Sequence, residues 1–242
     1  MDEKIETLKK YVEESSSIVF FGGAGVSTES GIPDFRSVDG LYNQKWAYPP
    51  EEILSAPFFY DNPSEFYRFY REKILIDGIE PNITHKKLAE LEAKGKVSCV
   101  ITQNIDGLHQ KAGSKVVYEL HGTTLKNHCI KCGQFYDFNY VVSHKNDDYT
   151  CTCEKCTSLV KPDVVLYGEG LDDSTVSGAV QAIASADMLI IGGTSLTVYP
   201  AAGLIHYFRG NHLVLINKSP TPTDSSADLV IHDSLGKVFS CL

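Results

Sequence analysis

The chain has 242 residues, of which 43% are hydrophobic and 22% charged, proportions typical of a soluble globular protein with room for one large and one small domain. Its formal net charge of −9 disfavours nucleic acid or an anionic membrane as the main partner, since both attract basic surfaces. No apolar stretch reaches the roughly 18 residues of a membrane helix, and the charged segment Met1–Glu6 lacks a signal peptide's apolar region. These features predict a cytoplasmic protein.

A glycine-rich loop follows the first predicted strand, the apolar run Ile18–Phe21. Glycines at this place let backbone N–H groups approach a pyrophosphate. A bare G-x-G, here Gly23 and Gly25, is weak evidence, and Thr28 stands where a dehydrogenase motif has its third glycine. The loop nevertheless ends in Asp34-Phe35-Arg36, a combination of acid, aromatic ring and guanidinium that a purely structural loop does not need.

The rest of the chain alternates between helices and strands. Predicted helices cover residues 3–16, Thr84–Lys94 with Thr84 as N-cap, 174–185 and Tyr199–Phe208, and further strands cover Val97–Thr102, Val164–Tyr167, Met188–Ser195, His212–Asn217 and Asp228–Ile231. This alternation predicts an α/β fold with a Rossmann-like parallel sheet domain, built from residues 1–37, 81–121 and 160–242. Two insertions interrupt that domain. Residues 38–80 form a helical, aromatic insertion that makes a small core, lines a cleft or does both, and residues 122–159 form a cysteine-bearing one.

Three predicted strands end in polar residues. They are followed by the Gly23 loop, by Gln103-Asn104-Ile105-Asp106 and by Gly193-Thr194-Ser195. In open α/β sheets, ligands bind outside the carboxyl ends of the strands. Three strands that end in polar residues at one crevice arise by chance much less often than one such strand does. We therefore expect a nucleotide site at this crevice.

Two C-x-x-C units lie in the second insertion. Cys129 and Cys132 form the first unit, and Cys153 and Cys156 form the second. Each supplies two thiolates from one tight turn, and together they complete a tetrahedron around Zn²⁺. A redox pair is the alternative, although redox motifs do not usually occur twice at this spacing. Cys151 lies outside the C-x-x-C spacing, so the sequence predicts a zinc ribbon with a closed, structural metal site.

His121 is the candidate general base, because it ends an apolar segment beside Gly122 at the junction with the second insertion. An isolated histidine is more often a surface or a satisfied core residue. Its place at a strand end next to a predicted cleft favours a catalytic role, since imidazole titrates near neutral pH.

Taken together, these motifs resemble the sirtuin family of NAD-dependent protein deacylases, in a bare catalytic core of bacterial type. The matching segments occur in family order and cover most of the chain from residue 18 to 217; they are residues 23–36, 102–113, 119–122, the four cysteines, 166–169 and 193–202. Gly22 differs from the Thr of many members. The resemblance implies NAD as co-substrate, structural zinc, acetylated-lysine proteins or peptides as substrates, and a monomer.

The resemblance also implies a role for individual residues. His121 would be the base, and Asn104, Ile105 and Asp106 would position nicotinamide and its ribose, with Phe35 as a cover over them. The remaining cofactor contacts would be Gly23, Ala24, Gly25, Thr28 and Arg36 at the phosphates and nearby ribose, Gln103 at ribose hydroxyls, and Gly193, Thr194, Ser195, Asn217, Ser234 and Leu235 at the adenosine half. The acyl-lysine peptide would lie as a strand against Val164, Tyr167, Gly168, Glu169 and Val198.

The implied reaction cleaves the nicotinamide–ribose bond and transfers the acetyl group of acetyl-lysine to ADP-ribose, releasing nicotinamide, O-acetyl-ADP-ribose and lysine. Two alternatives are a mono-ADP-ribosyltransferase and a non-catalytic NAD-binding module that docks through its zinc ribbon. The presence of His121, Asn104 and Asp106 argues against the second alternative.

The helical insertion also bears on the choice of acyl group. Family members that remove acidic acyl groups carry a Tyr-x-x-Arg pair there, whereas this chain reads Tyr67-Arg68-Phe69-Tyr70. Arg71 follows one position later, about 100° further around a helix, and should point elsewhere. The sequence therefore predicts acetyl or another short, uncharged acyl group.

Overall fold

Six parallel strands form the main sheet of the computed structural model, which describes residues 2–35, 40 and 46–242. The strands of the described chain are β1 (Ile18–Gly22), β2 (Val97–Thr102), β3 (Val117–Glu119), β4 (Gly122–Cys129), β5 (Phe135–Asp137), β6 (Val160–Val164), β7 (Met188–Gly192), β8 (His212–Ile216) and β9 (Leu229–Ile231). The sheet order is β3-β2-β1-β7-β8-β9. The chain therefore runs outward from β1 in one direction and from β7 in the other, which is the Rossmann order, and the reversal leaves a crevice at the ends of these two strands.

Helices cover both faces of this sheet because its strands are buried, apolar runs. The helices are α1 (Asp2–Glu14), α2 (Pro50–Ile53), α3 (Ala56–Asp61), α4 (Pro63–Phe69), α5 (Ile83–Ala93), α6 (Leu108–Ala112), α7 (Phe138–Ser143), α8 (Asp173–Ser185) and α9 (Leu235–Phe239). Apolar residues of α1, α5 and α9 pack on one face, and those of α8 and a 3₁₀ helix (Ala201–Tyr207) pack on the other. No helix in the described ranges is both long and apolar enough to cross a membrane.

The two insertions share one hydrophobic core. The first contributes α2, α3 and α4, with α4 continuing through a π-helical turn, Tyr70–Ile74. The second contributes β4, β5 and α7, and β6, which follows it in the chain, completes the antiparallel sheet β5-β4-β6. Phe59, Phe66 and Tyr67 of the first insertion are fully buried in the same cluster as Val141 of the second and Val160 of β6. Because aromatic rings bury large areas, this contact joins the insertions into a single packed body.

Three local predictions are wrong. The cap of α5 is Asn82, whose side chain accepts from the Thr84 N–H, because Asn82 has the extended backbone that a cap requires. The strand predicted at Val164–Tyr167 instead ends at Val164, since β6 pairs with β4. The predicted helix Tyr199–Phe208 is a shorter 3₁₀ helix.

Two buried imidazoles lie beneath the main sheet. His85 and His109 are 0% and 1% exposed, with ring centroids 4.7 Å apart. Among the described residues, three of their ring nitrogens have no hydrogen-bond partner: both nitrogens of His109, and Nε2 of His85. Burial lowers the pKa of His85 to about 4 and, with a smaller contribution from His85, that of His109 to about 3. Both rings are therefore neutral in the folded protein at neutral pH.

We expect these histidines to make the fold acid-sensitive. In the unfolded chain a histidine binds its proton below about pH 6.5, whereas the folded rings remain neutral until about pH 4 and 3. The unfolded state thus binds more protons in this window, and stability falls as the pH is lowered through it. Replacing one group, His109→Leu, should reduce the slope of the unfolding free energy against pH by about 1.4 kcal/mol per pH unit near pH 5, as measured by urea unfolding.

His206, which lies exposed on the 3₁₀ helix, provides the matched control. His206→Leu should keep the wild-type slope. A wild-type slope in His109→Leu would mean that the folded protein accommodates a proton on His109.

Candidate functional site

The loops after β1 and β7 touch through their backbones. The Gly25 N–H donates to the Gly193 carbonyl at 2.8 Å, and the Gly23 N–H donates to Gly192 at 3.2 Å. A Cβ on Gly25 would lie 2.8 Å from Gly193 Cα, and one on Gly193, whose φ is +61°, would lie 2.6 Å from Val26 N. Glycine is therefore required on both sides of the contact. It places the predicted phosphate loop directly against the end of β7.

Ser27 links two predicted nicotinamide residues. This buried side chain accepts a hydrogen bond from Asn104 Nδ2 at 3.0 Å and donates one to Asp106 Oδ2 at 2.6 Å. The Leu108 N–H donates to Asp106 Oδ1. Burial raises the pKa of the Asp106 carboxyl, and the bonds from Ser27 and Leu108 oppose that rise. The arrangement holds a carboxyl and an amide side by side in a partly desolvated pocket.

Ile105 lies between Asn104 and Asp106 in the chain, and its carbonyl is held by Thr124 of β4. It accepts from the Thr124 N–H at 2.9 Å and from Thr124 Oγ1 at 3.1 Å. The segment after β2 is thereby attached both to the glycine loop and to the start of β4.

His121 lies beside this pocket, between β3 and β4. Its Nδ1 is 2.9 Å from the Gln103 carbonyl. A carbonyl only accepts, so Nδ1 carries the proton and the lone pair resides on Nε2. Burial lowers the pKa of His121, and the contact with Gln103 raises it by less. A neutral imidazole with a free Nε2 lone pair is the form that a general base requires.

The predicted adenosine residues gather on the far side of the crevice. Gln103 Nε2 donates to Thr194 Oγ1 at 3.0 Å. Leu235 is buried against Gly192. A Cβ built on Gly192 would lie only 2.8 Å from Leu235 Cδ2. Ser234 is the N-cap residue of α9. Asn217, at the end of β8, donates through Nδ2 to the Ser219 carbonyl at 2.7 Å.

The predicted peptide residues occupy two segments. The Val165 N–H donates to the His121 carbonyl, so Val164 and the loop after it run beside His121. The Tyr167 backbone pairs with the helical insertion, donating to the Leu54 carbonyl and accepting from the Ala56 N–H.

Glu169 stabilises its own loop. Its Oε2 accepts from the Leu166 N–H at 2.8 Å and from Lys161 Nζ at 3.1 Å. Gly168 has φ +91° and lies exposed. Val198, in the loop after β7, accepts through its carbonyl from the Ala202 N–H.

The four predicted zinc ligands converge. The sulfur atoms of Cys129, Cys132, Cys153 and Cys156 all lie within 4.8 Å of one another, with Cys129–Cys156 at 3.3 Å and Cys132–Cys153 at 3.6 Å. In a tetrahedron of Zn–S bonds of about 2.3 Å, sulfur atoms are about 3.8 Å apart. The cluster therefore fits Zn²⁺. The group contains four thiols and excludes Cys151, which is buried and lies in the aromatic core.

Comparison with known proteins agrees with this geometry. The Sir2 family model matches residues 23–200. The chain belongs to the Sir2, or sirtuin, family. It is 59% identical over 239 residues to an NAD-dependent protein deacetylase of Clostridium acetobutylicum, covering 98% of this chain and 97% of that one. It is 57% identical over 242 residues to one of Clostridium perfringens, with coverages of 99% and 98%.

Solved sirtuin structures match over nearly the whole chain. A Sir2 with deacetylated p53 peptide and 3'-O-acetyl ADP ribose has a TM-score of 0.91 and 37% identity, covering 98% of this chain and 96% of that one. A Sir2 bound to a propionylated peptide has a TM-score of 0.87 at 37% identity, with coverages of 98% and 96%. The Rossmann-like sheet with its helical and four-cysteine insertions is thus the sirtuin fold.

Two further predicted cofactor residues, Thr28 and Ser195, make hydrogen-bond contacts with residues close to them in the chain. Thr28 Oγ1 donates within its own loop to the Gly25 carbonyl at 3.1 Å, and Ser195 Oγ lies 2.8 Å from Thr197 Oγ1. Ala24 begins the first 3₁₀ turn of the loop, and Phe35 is half-buried at its described end. Arg36 lies outside the described residues, so its place in the site stays a prediction.

Two contacts of the site were missed from the sequence. The first is the link that Ser27 makes between Asn104 and Asp106, for which the position of its hydroxyl two residues after Gly25 is the available signal. Tyr136 donates through its hydroxyl to Cys153 Sγ at 3.1 Å. Nothing in the spacing of the cysteines indicated this contact, because it depends on how β5 packs.

We expect alanine at any of the four cluster cysteines to strip zinc and loosen the insertion, because three thiolates do not close a structural site. Cys129→Ala and Cys153→Ala should lose most of their zinc by elemental analysis and show a lower thermal midpoint for the small domain. Cys151→Ala is the matched control, since it removes a neighbouring buried thiol from outside the cluster. Loss of zinc from Cys151→Ala together with retention in Cys153→Ala would reverse the assignment.

Proposed function

We propose that the chain is an NAD-dependent protein-lysine deacetylase in which His121 is the general base and Asn104 and Asp106 serve the nicotinamide end of NAD. The observation that carries this proposal is the pairing of a partly desolvated amide–carboxyl pocket with an adjacent imidazole whose Nε2 lone pair is free. The relatives named as NAD-dependent protein deacetylases, at 59% and 57% identity over almost the whole chain, support the same activity.

The nicotinamide end needs recognition of a carboxamide and exclusion of water. Asp106 accepts hydrogen bonds, and its rigid attachment to Ser27 and the Leu108 N–H fixes the direction in which it does so. The buried surroundings that raise its pKa also reduce the local dielectric. Departure of nicotinamide leaves positive charge on the ribose carbon, and preorganised groups in a dry pocket stabilise such charge better than water does.

Transfer of the acyl group needs alignment and then a base. The acyl-lysine amide oxygen is a weak nucleophile, so it attacks only when the peptide is held in line with the ribose carbon. The loop Val164–Glu169, attached to the His121 carbonyl through Val165 N–H, supports this placement beside the base. His121 Nε2 then accepts the proton of a ribose hydroxyl, whose oxygen bonds to the acyl carbon. The bond from that carbon to the lysine nitrogen breaks, lysine leaves as the amine, and one water molecule completes the conversion to O-acetyl-ADP-ribose.

Zinc serves the structure and not the reaction. The four thiolates would hold it without an open position for substrate. Its role is to fix the two C-x-x-C turns at the edge of the body formed by the two insertions.

The proposed activity is tested by incubating the protein with an acetyl-lysine peptide, with and without NAD. A peptide mass loss of one acetyl group that requires NAD, with release of nicotinamide and O-acetyl-ADP-ribose, is expected. A mass gain of ADP-ribose on the peptide without deacetylation would indicate a transferase, and NAD binding without turnover would indicate a binding module.

His121→Ala should lower turnover by roughly 10²-fold or more, as for loss of a positioned base. NAD binding and the thermal midpoint should remain near wild-type values, because the side chain lines a cleft and supports no core. Steady-state kinetics and calorimetric NAD titration measure the two effects. Near-normal deacetylation by the variant would remove His121 from the mechanism.

The acyl preference should be for acetyl or another short, uncharged group. Tyr70 is fully buried, and Arg71 directs its guanidinium to backbone carbonyls of the second insertion. A succinyl carboxylate in the pocket would be desolvated without a guanidinium from this helix, at a cost of several kcal/mol (roughly 10²-fold in rate or more). We therefore expect kcat/KM on a succinyl-lysine peptide to be about 10²-fold below that on the matched acetyl-lysine peptide.

A butyryl-lysine peptide of the same sequence is the control for size, and its rate should lie nearer to the acetyl rate than to the succinyl rate. A succinyl rate equal to the acetyl rate would show that some cation of the protein reaches the acyl group.

The proposal includes a cytoplasmic monomer that acts on acetylated proteins and not on nucleic acid. The net charge of −9 supports the last point, because phosphate backbones bind basic surfaces. Light scattering on the purified protein tests the oligomeric state.

A further inference from the structure

Arg71 pairs with no carboxylate among the described residues. Its guanidinium instead donates to three backbone carbonyls, with Nη1 2.6 Å from Val141 O, Nε 2.8 Å from Tyr149 O and Nη2 3.0 Å from His144 O. It also lies over the Tyr67 ring, 5.5 Å from its centroid. Burial lowers its pKa, but an arginine keeps its charge at neutral pH. All three nitrogen atoms of this group thus donate to one neighbouring stretch of backbone, and the group also lies over one ring.

The three carbonyls belong to one segment, residues 138–150, which we call the connecting arm. The arm consists of α7 and the loop after it, and it joins the first cysteine pair to the second in sequence. Residues 142–149 are all exposed, so their own side chains contribute little apolar burial. Besides Arg71, Ser64 contacts the arm from the helical insertion, with its hydroxyl 3.2 Å from Asp148 Oδ2. Among the described residues, Arg71 therefore supplies three of these four side-chain hydrogen bonds between the helical insertion and the arm.

A continuous set of contacts leads from Arg71 to a zinc ligand. His144, one of the three acceptors, stacks on Tyr140 with ring centroids 3.9 Å apart. Tyr140 stacks on Tyr136 at 4.0 Å, and Tyr136 donates its hydroxyl to Cys153 Sγ. Residues that orient a metal ligand from outside the coordination shell raise metal affinity, because they order the site before the metal binds and so reduce the entropy lost on binding.

We propose that Arg71 is a positioning residue for the zinc site: by attaching the connecting arm to the helical insertion, it holds the two cysteine pairs in the arrangement that binds zinc. The inference rests on the zinc site proposed above. Arg71 touches none of the ligands, so it acts through the arm and through Tyr136. Without it, the exposed loop gains conformational freedom that zinc binding must then remove.

The test compares zinc release from the purified zinc-loaded protein and three variants. Arg71→Met keeps the aliphatic stem and deletes the donors, whereas Arg71→Lys keeps the charge with a smaller, unforked donor group. Arg68→Met is the matched control, because Arg68 lies on the same helix and pairs with Glu65 of that helix. Zinc is measured before the experiment by elemental analysis and afterwards as the rate of transfer to a metallochromic chelator in excess.

We expect Arg71→Met to release zinc on the order of tenfold faster than wild type or more, the range in which outer-shell partners act. Arg71→Lys should be intermediate, and Arg68→Met should match wild type. Hydrogen exchange of the zinc-loaded proteins provides a second readout. In Arg71→Met, amides of residues 141–153 should exchange faster while those of β1 and β2 keep wild-type protection, a local effect that general destabilisation would not produce.

Release of zinc from Arg71→Met at the wild-type rate, or equal acceleration in Arg68→Met, would overturn the role of Arg71 and leave the zinc site intact. If Arg71→Met does not fold, Arg71→Lys decides in its place, and a wild-type release rate in that variant overturns the role. Wild-type protein without stoichiometric zinc would overturn the zinc site itself and this inference with it.

Discussion

The backbone contact between the loops after β1 and β7 is the constraint on which the rest of the site depends. Gly25 and Gly193 meet where neither has space for a Cβ, so the two loops close one crevice and not two separate clefts. The neighbouring contacts follow from this approach. Ser27, carried by the first loop, reaches Asn104 and Asp106 after β2, and Gln103 reaches Thr194 after β7. A single steric condition thus brings three strand ends within the span of one dinucleotide.

The second organising feature is the body formed by the two insertions. They share one aromatic core, and the Tyr167 backbone pairs with the Leu54–Ala56 segment of the helical insertion. The loop beside His121 is therefore attached on one side to the Rossmann-like domain and on the other to this body. The four-cysteine cluster is thus connected through this body to the loop that carries Tyr167.

The sequence predicted those parts of the structure that depend on local pattern. Buried strands, the polar residues at their ends and the paired C-x-x-C units each carry a signal within a few residues. The features that the sequence did not predict depend on contacts between segments that are distant in the chain. The position of β6 is set by pairing with β4 and not by the apolar run that begins at Val164. Arg71 could be excluded from the position of the family's acyl-reading arginine, but its actual acceptors lie about seventy residues away and no periodicity indicates them.

The attachment of His121 to Gln103 has a consequence for how the site tolerates change. The acceptor that sets the tautomer of the imidazole is a main-chain oxygen, and the Gln103 N–H is itself bonded to Gly22 O in the middle of the sheet. Substitution at position 103 can delete the amide that donates to Thr194, yet it leaves the carbonyl in place. The orientation of the His121 imidazole therefore does not depend on the side chain at position 103, and side chains around it can change over evolutionary time while the lone pair stays on Nε2.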